Sequence, residues 1–105
     1  MSVEYSSGIA VGFKLSDAEV QRFPEEIKED LQDYGNLIQL DTWSAKCNWI
    51  LNFYNQYGPD EGEAVAIDSL TWEPDEWQEI CATFRRYFPE RSNEEPRTYL
   101  YTRVY

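Results

Sequence analysis

Alternation between apolar residues and small or polar residues over positions 3–15 is the feature that most restricts the fold of this chain. The apolar residues stand at odd positions: Val3, Tyr5, Ile9, Val11, Phe13 and Leu15. A period of two is typical of a β-strand with one buried face, so positions 3–15 are predicted to form one long strand. Gly8 and Gly12 fall on its other face, where glycine indicates a bend or a close approach of another backbone.

A first helical region is predicted behind this strand. Ser16-Asp17-Ala18-Glu19 is a capping-box sequence, which marks the start of a helix. Apolar residues then recur at steps of three and four: Val20, Phe23, Ile27, Leu31 and Tyr34. Pro24 interrupts this stripe and Gly35 ends it. We therefore expect one short turn of helix, followed by a longer helix with Pro24 at its first position.

A second helical region is predicted near the end of the chain, after a loop over Asn55–Gly62 that contains Gly58-Pro59-Asp60-Glu61-Gly62. Thr71 is suited to cap this helix, and Pro74 is tolerated in its first turn. Its apolar stripe consists of Trp77, Ile80, Cys81, Phe84 and Phe88. Pro89 follows the stripe and is expected to end the helix.

The remaining apolar segments favour strands. Leu37–Trp43 and Cys47–Tyr54 are rich in large apolar residues and are interpreted as two antiparallel strands. The apolar residues of 43–54 also fit helical spacing, so a helix there is an alternative. Glu63–Leu70 and Arg97–Tyr105 alternate in character, and each predicts a further strand.

These elements predict an α+β protein in which two helices pack on one face of a mainly antiparallel sheet of four or five strands. The order corresponds to the β-α-β-β-α-β arrangement of a ferredoxin-like fold or a close variant of it. No linker or repeat divides the 105 residues, so residues 1–105 are expected to form a single domain.

The charge balance excludes several classes of function. The chain has 20 acidic and 9 basic residues, a formal net charge of −11, and no histidine. Nucleic acids and anionic membranes are negatively charged, so direct binding to either is disfavoured. Without histidine there is no Ser-His-Asp or Cys-His catalysis, and no phosphate-binding or nucleophile motif appears. We expect a cytoplasmic, non-enzymatic protein without a cofactor.

The cysteines and the possible metal-binding residues give little indication of function. Cys47 and Cys81 are expected to be free thiols in the core, with a disulfide between them left open by the sequence. The run Asp60-Glu61-Gly62-Glu63 offers oxygen ligands for Ca²⁺ or Mg²⁺, but it lacks the alternating ligand spacing of a known loop. No metal site is predicted.

Acidic residues are concentrated in two segments, and this concentration is the main functional signal. Residues 17–35 hold seven acidic and two basic residues, whereas 59–80 hold eight acidic residues and no basic one. Like charges at helical spacing destabilise a helix, so a surface that meets a basic partner is one explanation and a solvated helix face is the other. The candidate partner-binding residues are Glu26, Glu29, Asp30, Asp33, Asp60, Glu61, Glu63, Trp72, Glu73, Asp75, Glu76 and Glu79.

Aromatic residues extend this surface in the sequence interpretation. Trp72 is expected either to staple the helix start or to stand exposed as an anchor for an arginine-rich partner, and Trp77 is expected to pack in the core. The outward face of the last strand is predicted to carry Tyr99, Tyr101 and Tyr105. This face offers a second contact patch, which includes the option of a homodimer. A sheet face that is covered by another part of the protein explains these tyrosines equally well.

Small size, acidic charge and missing catalytic groups resemble phage-encoded anti-CRISPR and anti-restriction proteins and the immunity proteins of nuclease toxins. The resemblance implies an inhibitor that binds a basic nuclease or defence effector by mimicking nucleic-acid phosphates, with a phage inhibitor favoured over an immunity protein. The alternative is a regulatory or structural interaction module, homodimeric through the tyrosine-rich strand, whose charge serves solubility.

Overall fold

The structure is a computed structural model that describes residues 5–40, 48–58, 62–64 and 74–104. Its elements in chain order are β1 (Tyr5–Ser16), α1 (Asp17–Val20), α2 (Glu25–Asp33), β2 (Leu37–Leu40), β3 (Asn48–Tyr57), α3 (Pro74–Tyr87), a short 3-10 helix (Pro89–Arg91) and β4 (Arg97–Val104). The four strands form one antiparallel sheet in the order β2-β3-β1-β4. The α+β class predicted from the sequence is confirmed.

The predicted helical region behind β1 forms two helices, so the described part of the chain has three α-helices where the fold prediction counted two. Ser16 caps α1 by accepting a hydrogen bond from the Glu19 backbone N–H at 3.2 Å. The Glu19 carboxylate accepts one in return from the Ser16 N–H at 3.0 Å, which completes the predicted capping box. Pro24 is the N-cap of α2 and stands one residue before the predicted position.

The middle of the chain is extended where it is described. β2 and β3 are antiparallel, with Leu37 opposite Leu51 and Leu40 opposite Asn48. The helical alternative for 43–54 is therefore wrong for 48–54. Residues 41–47, which connect these strands in the sequence, lie outside the described residues. So does most of the predicted strand Glu63–Leu70, of which only 63 and 64 are described, and they lie in no strand.

β1 is one of the two inner strands of the described sheet, and both of its faces carry buried residues, where the sequence predicted one buried face. It approaches β3 unusually closely at Gly12. Val11 lies opposite Tyr54 and Gly12 lies opposite Asn52, so β3 bulges by one residue at Phe53. A Cβ atom at Gly12 would stand 1.9 Å from the Leu51 carbonyl oxygen. Only a residue without a side chain fits there, which confirms the predicted close approach of another backbone.

The main core lies between the sheet and the helices. Phe13 of β1 stacks on Phe84 of α3 with ring centroids 3.8 Å apart and planes within 4°. Phe88 follows in the same helical stripe, and Phe23 meets its ring edge-on at 5.6 Å between centroids. These residues are all buried. They attach α3 and the segment between α1 and α2 to β1 of the sheet.

A second apolar cluster lies on the opposite face of the sheet and consists of Ala10, Ile38, Ile50 and Tyr101. Ile38 belongs to β2 and Tyr101 to β4, and Cα atoms of these two edge strands come within 8 Å of each other. The sheet therefore curls around this cluster. Gly8 permits the curl because it has no side chain: a Cβ atom at Gly8 would stand 2.6 Å from the hydroxyl oxygen of Tyr101.

This curl corrects the predicted orientation of β4. Tyr101 is buried and Tyr99 is half-buried against the second cluster. Leu100, which alternates with them, is instead 82 % exposed. The proposed outward tyrosine patch is therefore wrong for the described tyrosines, because the edge strand turns that face into the curl of the sheet. Tyr105 lies outside the described residues.

Cys81 is a buried free thiol on the core side of α3, as predicted. Burial raises the pKa of this thiol, and the nearby positive charge of Arg85 opposes the rise. Cys47 lies outside the described residues.

An arginine network closes the end of the molecule where β1, α1 and the 3-10 helix meet. Arg91 donates to Glu19 at 2.7 Å, to the Lys14 carbonyl at 3.0 Å and to the Glu94 carboxylate. Arg22 similarly pairs with Glu90. Burial alone would raise the pKa of Glu19, but hydrogen bonds from Ser16 and Arg91 outweigh it and hold the pKa below its usual value. The Arg91 hydrogen bond also lowers the pKa of Glu94.

The close approach at Gly12 predicts a large loss of stability for Gly12→Ala. The new methyl group collides with backbone rather than with a movable side chain, so we expect the free energy of unfolding to fall by about 3 kcal/mol or more. Urea denaturation measures this. Gly62→Ala is the control, because φ is +86° there but no atom lies within 4 Å of the new Cβ. Gly62→Ala should cost about 1 kcal/mol, because alanine is strained at a positive φ. Equal losses for the two variants would contradict a collision with backbone at Gly12.

The arginine network predicts a pH-dependent stability difference between the wild type and Arg91→Gln. Because the folded-state pKa values of Glu19 and Glu94 are lowered, their contribution is complete above the ordinary pKa, about 4.3. It is lost as the pH falls through the lowered values. At pH 7 the variant should be about 1 kcal/mol less stable by urea denaturation.

Between pH 5 and pH 3 this difference between the wild type and Arg91→Gln should shrink. Arg85→Gln, at an exposed position of α3, removes the same charge and should show a small difference that varies little with pH. An Arg91→Gln difference that stays constant from pH 7 to pH 3 would argue against the carboxylate pairing.

Candidate functional site

An open cleft of about 540 Å³ lies between α2 and α3. α2 packs on β2 at one side of it and α3 packs on β3 at the other. The floor comes from β3, in the segment Asn52–Asn55, and includes the bulged residue Phe53. Bulges occur preferentially beside functional sites because they redirect side chains, and this one shapes the floor of the cleft.

The end of α2 forms one side of the cleft. Gly35 has a φ of +74°, and its N–H donates to the Gln32 carbonyl at 3.1 Å. The Asn36 N–H donates to the Leu31 carbonyl at 2.8 Å. Together these bonds form a Schellman motif, which ends the helix sharply and turns the chain into β2. Tyr34, the C-cap residue, lines the cleft and is 82 % exposed.

Asparagine side chains fasten this helix end to the floor. Asn52 is buried and donates to the Gly35 carbonyl at 3.2 Å. Asn55 donates to the same carbonyl at 3.1 Å and to the Asn52 side-chain oxygen at 3.2 Å. The Asn36 side chain donates in turn to the Asn52 carbonyl at 3.1 Å. Buried polar groups that are satisfied in this way rigidify their surroundings, so the floor and the end of α2 form one rigid unit.

Carboxylates line both helical sides of the cleft. Asp30 comes from α2, whereas Glu76 and Glu79 come from the first half of α3. Among the described residues that line the cleft, none is basic. Lys28, the basic residue of α2, instead lies over the ring of Trp49 at 5.5 Å from its centroid. The cleft is therefore a concentrated negative surface.

Apolar and aromatic groups lie beneath and beside these carboxylates. Leu31, Phe53 and Ile80 line the cleft. Trp77 meets Phe53 edge-on, with 6.5 Å between ring centroids, and is 39 % exposed. Trp77 thus contacts the core residue Phe53 but stands exposed beside α3, so the prediction that it packs in the core is wrong.

The structure brings together only some of the predicted partner-binding residues. Asp30, Glu76 and Glu79 line the cleft. Other predicted residues are exposed on the same two helices but do not line it: Glu26, Glu29, Asp33 and Asp75. Glu63 is exposed in the short described segment 62–64, away from any helix or strand. The rest of the prediction lies outside the described residues: Asp60, Glu61, Trp72 and Glu73.

Sequence reasoning missed Tyr34 and the asparagine floor. The sequence interpretation places Tyr34 in the apolar stripe of its helix. It also places Asn55 at the start of a loop, which is wrong because β3 continues to Tyr57, and it gives Asn36 and Asn52 no role. One signal was present, because Asn52 interrupts the apolar run from Trp49 to Phe53. A polar residue inside a buried strand has to find hydrogen-bond partners, so it marks either a network or a site.

Metal and membrane functions gain no support within the described part of the chain. No group of three or more cysteine, aspartate and glutamate side chains there is placed to hold a metal ion. The described helices, of which α3 with 14 residues is the longest, are too short and too polar to cross a bilayer.

Comparisons with known proteins do not place the chain in a family. No family model matches the sequence, and no curated protein or solved structure shows significant similarity to it. The fold and the cleft therefore define the class, a small acidic α+β protein with a negatively charged cleft between two helices.

The asparagine floor predicts that Asn52→Leu destabilises the protein and loosens the end of α2. The substitution removes the hydrogen bond to Gly35 and leaves an Asn55 N–H without its acceptor, so about 1–3 kcal/mol should be lost. Urea denaturation gives the loss, and amide hydrogen exchange at 31–36 reports the loosening. Asn93→Leu, at an exposed position, should change neither. Unchanged exchange in Asn52→Leu would contradict the fastening role.

Proposed function

We propose that this protein is a non-enzymatic inhibitor that binds a basic protein through the helical face formed by α2, α3 and the cleft between them. The observation that carries the proposal is the convergence of Asp30, Glu76 and Glu79 on one open cleft whose described lining includes no basic residue. Electrostatic complementarity of this kind speeds association with a basic partner and selects it over neutral ones.

Helix stability does not explain all of this acidity. Asp75 and Glu76 in the first turn of α3 favour the helix dipole, so they have a local structural reason. Asp30 and Asp33 lie in the last turn of α2, where the helix dipole favours cations over carboxylates, and no basic residue occupies this turn. Their position costs stability, and this supports a role in binding.

The distribution of arginine ion pairs gives the same indication. Glu19, Glu90 and Glu94 are each paired with Arg22 or Arg91. Within the described part of the chain, no ion pair joins the cleft carboxylates to a basic residue. Carboxylates near Arg22 and Arg91 are thus neutralised, whereas the cleft carboxylates stay accessible. This is expected of a surface that binds a positively charged partner.

The partner that fits this charge pattern best is a nucleic-acid-handling enzyme such as a nuclease or a defence effector. Carboxylates on adjacent helical turns stand about 5–6 Å apart and present a row of negative charges, as a phosphate backbone does. The proposal includes a cytoplasmic location and a phage origin of the anti-CRISPR or anti-restriction kind. An immunity protein for a nuclease toxin is the other inhibitor in this class.

We also propose that the fold is a close variant of the ferredoxin-like arrangement. The described elements follow the order β-α-β-β-α-β once α1 and α2 are taken as one helical crossover. The antiparallel order β2-β3-β1-β4 supports this, because each helical crossover joins strands that have one strand between them.

Charge reversal on the two helices tests the inhibitor proposal. One variant carries lysine at Glu26, Glu29, Asp30 and Asp33, and another carries lysine at Asp75, Glu76 and Glu79. Because these residues are exposed, the fold should remain intact by circular dichroism. Capture of a basic nucleic-acid enzyme from bacterial lysate should fall at least about tenfold for each variant.

The controls for this capture use salt and a distant charge. Wild-type capture should weaken between about 50 and 500 mM salt, as the Debye length shrinks from about 14 to 4 Å. Glu95→Lys, an exposed reversal outside α2 and α3, should leave capture nearly unchanged. Full capture by both multiple variants would refute the proposal.

Self-association is a second candidate, and one observation favours it. Leu100 is 82 % exposed on β4, which is an edge strand of the described sheet. An apolar contact between two copies would hold or tighten as salt is raised, in contrast to electrostatic capture. Sedimentation at low and high salt, with Leu100→Lys as the disrupting variant, distinguishes it from the inhibitor.

A further inference from the structure

The cleft between α2 and α3 has two different kinds of surface. Its apolar part includes Leu31, Phe53 and Ile80, and its acidic rims carry Asp30, Glu76 and Glu79. At about 540 Å³ it falls in the size range of ligand-binding clefts and has room for a side chain together with neighbouring groups. A guest that fits both surfaces has an extended apolar stem and a cationic head.

The end of α2 adds a third feature to the cleft. Helix C-termini carry a partial negative charge from their last carbonyl groups. Tyr34 and Gly35, at this end, both line the cleft. The exposed ring of Tyr34 supplies an aromatic face at the same place. A cation held here is attracted by the helix end, by the carboxylates and by the ring.

We propose that this cleft receives an arginine side chain of the basic partner, an inference that rests on the proposed function and specifies how the partner is held. Arginine fits better than lysine for three reasons. Its planar guanidinium has five donors that match carboxylate and amide oxygens, and it stacks on aromatic rings. It is also more weakly hydrated than an ammonium group, so entering the cleft costs less.

The cleft is rigid before a partner binds, and this favours the binding of a single arginine side chain. The Schellman turn at Gly35 and the hydrogen bonds of Asn52 and Asn55 hold the helix end to the floor before any partner arrives. Little conformational entropy is then lost on binding. The partner's arginine enters the cleft, and the flanking acids of α2 and α3 contact the basic surface around it.

A peptide titration tests this inference on the intact protein. The probes are acetyl-Gly-Arg-Gly-amide and its lysine counterpart, added to ¹⁵N-labelled protein at 50 mM salt and followed by NMR. The arginine peptide should bind about fivefold more tightly than the lysine peptide. It should shift the resonances of Gly35 and the side-chain amide of Asn55 most strongly.

Two double variants of equal net charge locate the site. Glu76→Gln/Glu79→Gln should weaken arginine-peptide binding about tenfold, because two charge-assisted contacts are lost. Glu25→Gln/Glu95→Gln removes the same charge outside the cleft and should weaken it less than about twofold. Tyr34→Ser should reduce the preference for arginine over lysine.

The outcomes separate this inference from the proposed function. Equal weakening by both double variants, or equal binding of the two peptides, would overturn the arginine receptor. If the charge-reversal variants still lose lysate capture in that case, binding occurs across the helix faces and the inhibitor proposal stands. If peptide binding fails and charge reversal leaves capture unchanged, both proposals fail.

Discussion

Close contact between the backbones of β1 and β3 at Gly12 is the constraint on which the rest of the structure depends. β1 and β3 are the two inner strands of the described sheet, and alternate residues of β1 supply apolar clusters on both faces. With no side chain at Gly12, the β3 backbone lies against β1 at the bulge around Phe53. Bulges bend strands and increase their twist, and the sheet accordingly curls until β2 and β4 come close.

The same irregularity of β3 connects the fold to the candidate site. Phe53 leaves the regular ladder at the bulge, and together with its paired neighbours Asn52, Tyr54 and Asn55 it forms the floor of the cleft. Asn52 then fastens the end of α2 to that floor through Gly35. α3 is held separately, by the stacking of Phe84 on Phe13. Because the two helices have different anchors, the space between them stays open.

The acidic residues around Arg91 and those around the cleft lie in opposite electrostatic environments. Around Arg91 the carboxylates are paired, their pKa values are lowered, and they stabilise the fold above their ordinary pKa. Around the cleft the carboxylates stay accessible, and at the end of α2 they oppose the helix dipole. A cost in folding stability that brings no local benefit is typical of a binding surface, and it connects the fold to the proposed capture of a basic partner.

The sequence by itself determined the acidic character and several of the helices and strands. The period-two pattern of β1, the capping box at Ser16 and the stripe through Phe84 depend on local spacing, and each is present in the structure. Residues far apart in the chain decided the rest. Local alternation did not reveal which face of β4 turns inward, because that depends on how the sheet curls around Tyr101. Nor did local spacing show that Asp30 lines the same cleft as Glu76 and Glu79, since only packing on a shared sheet brings two separate helices together.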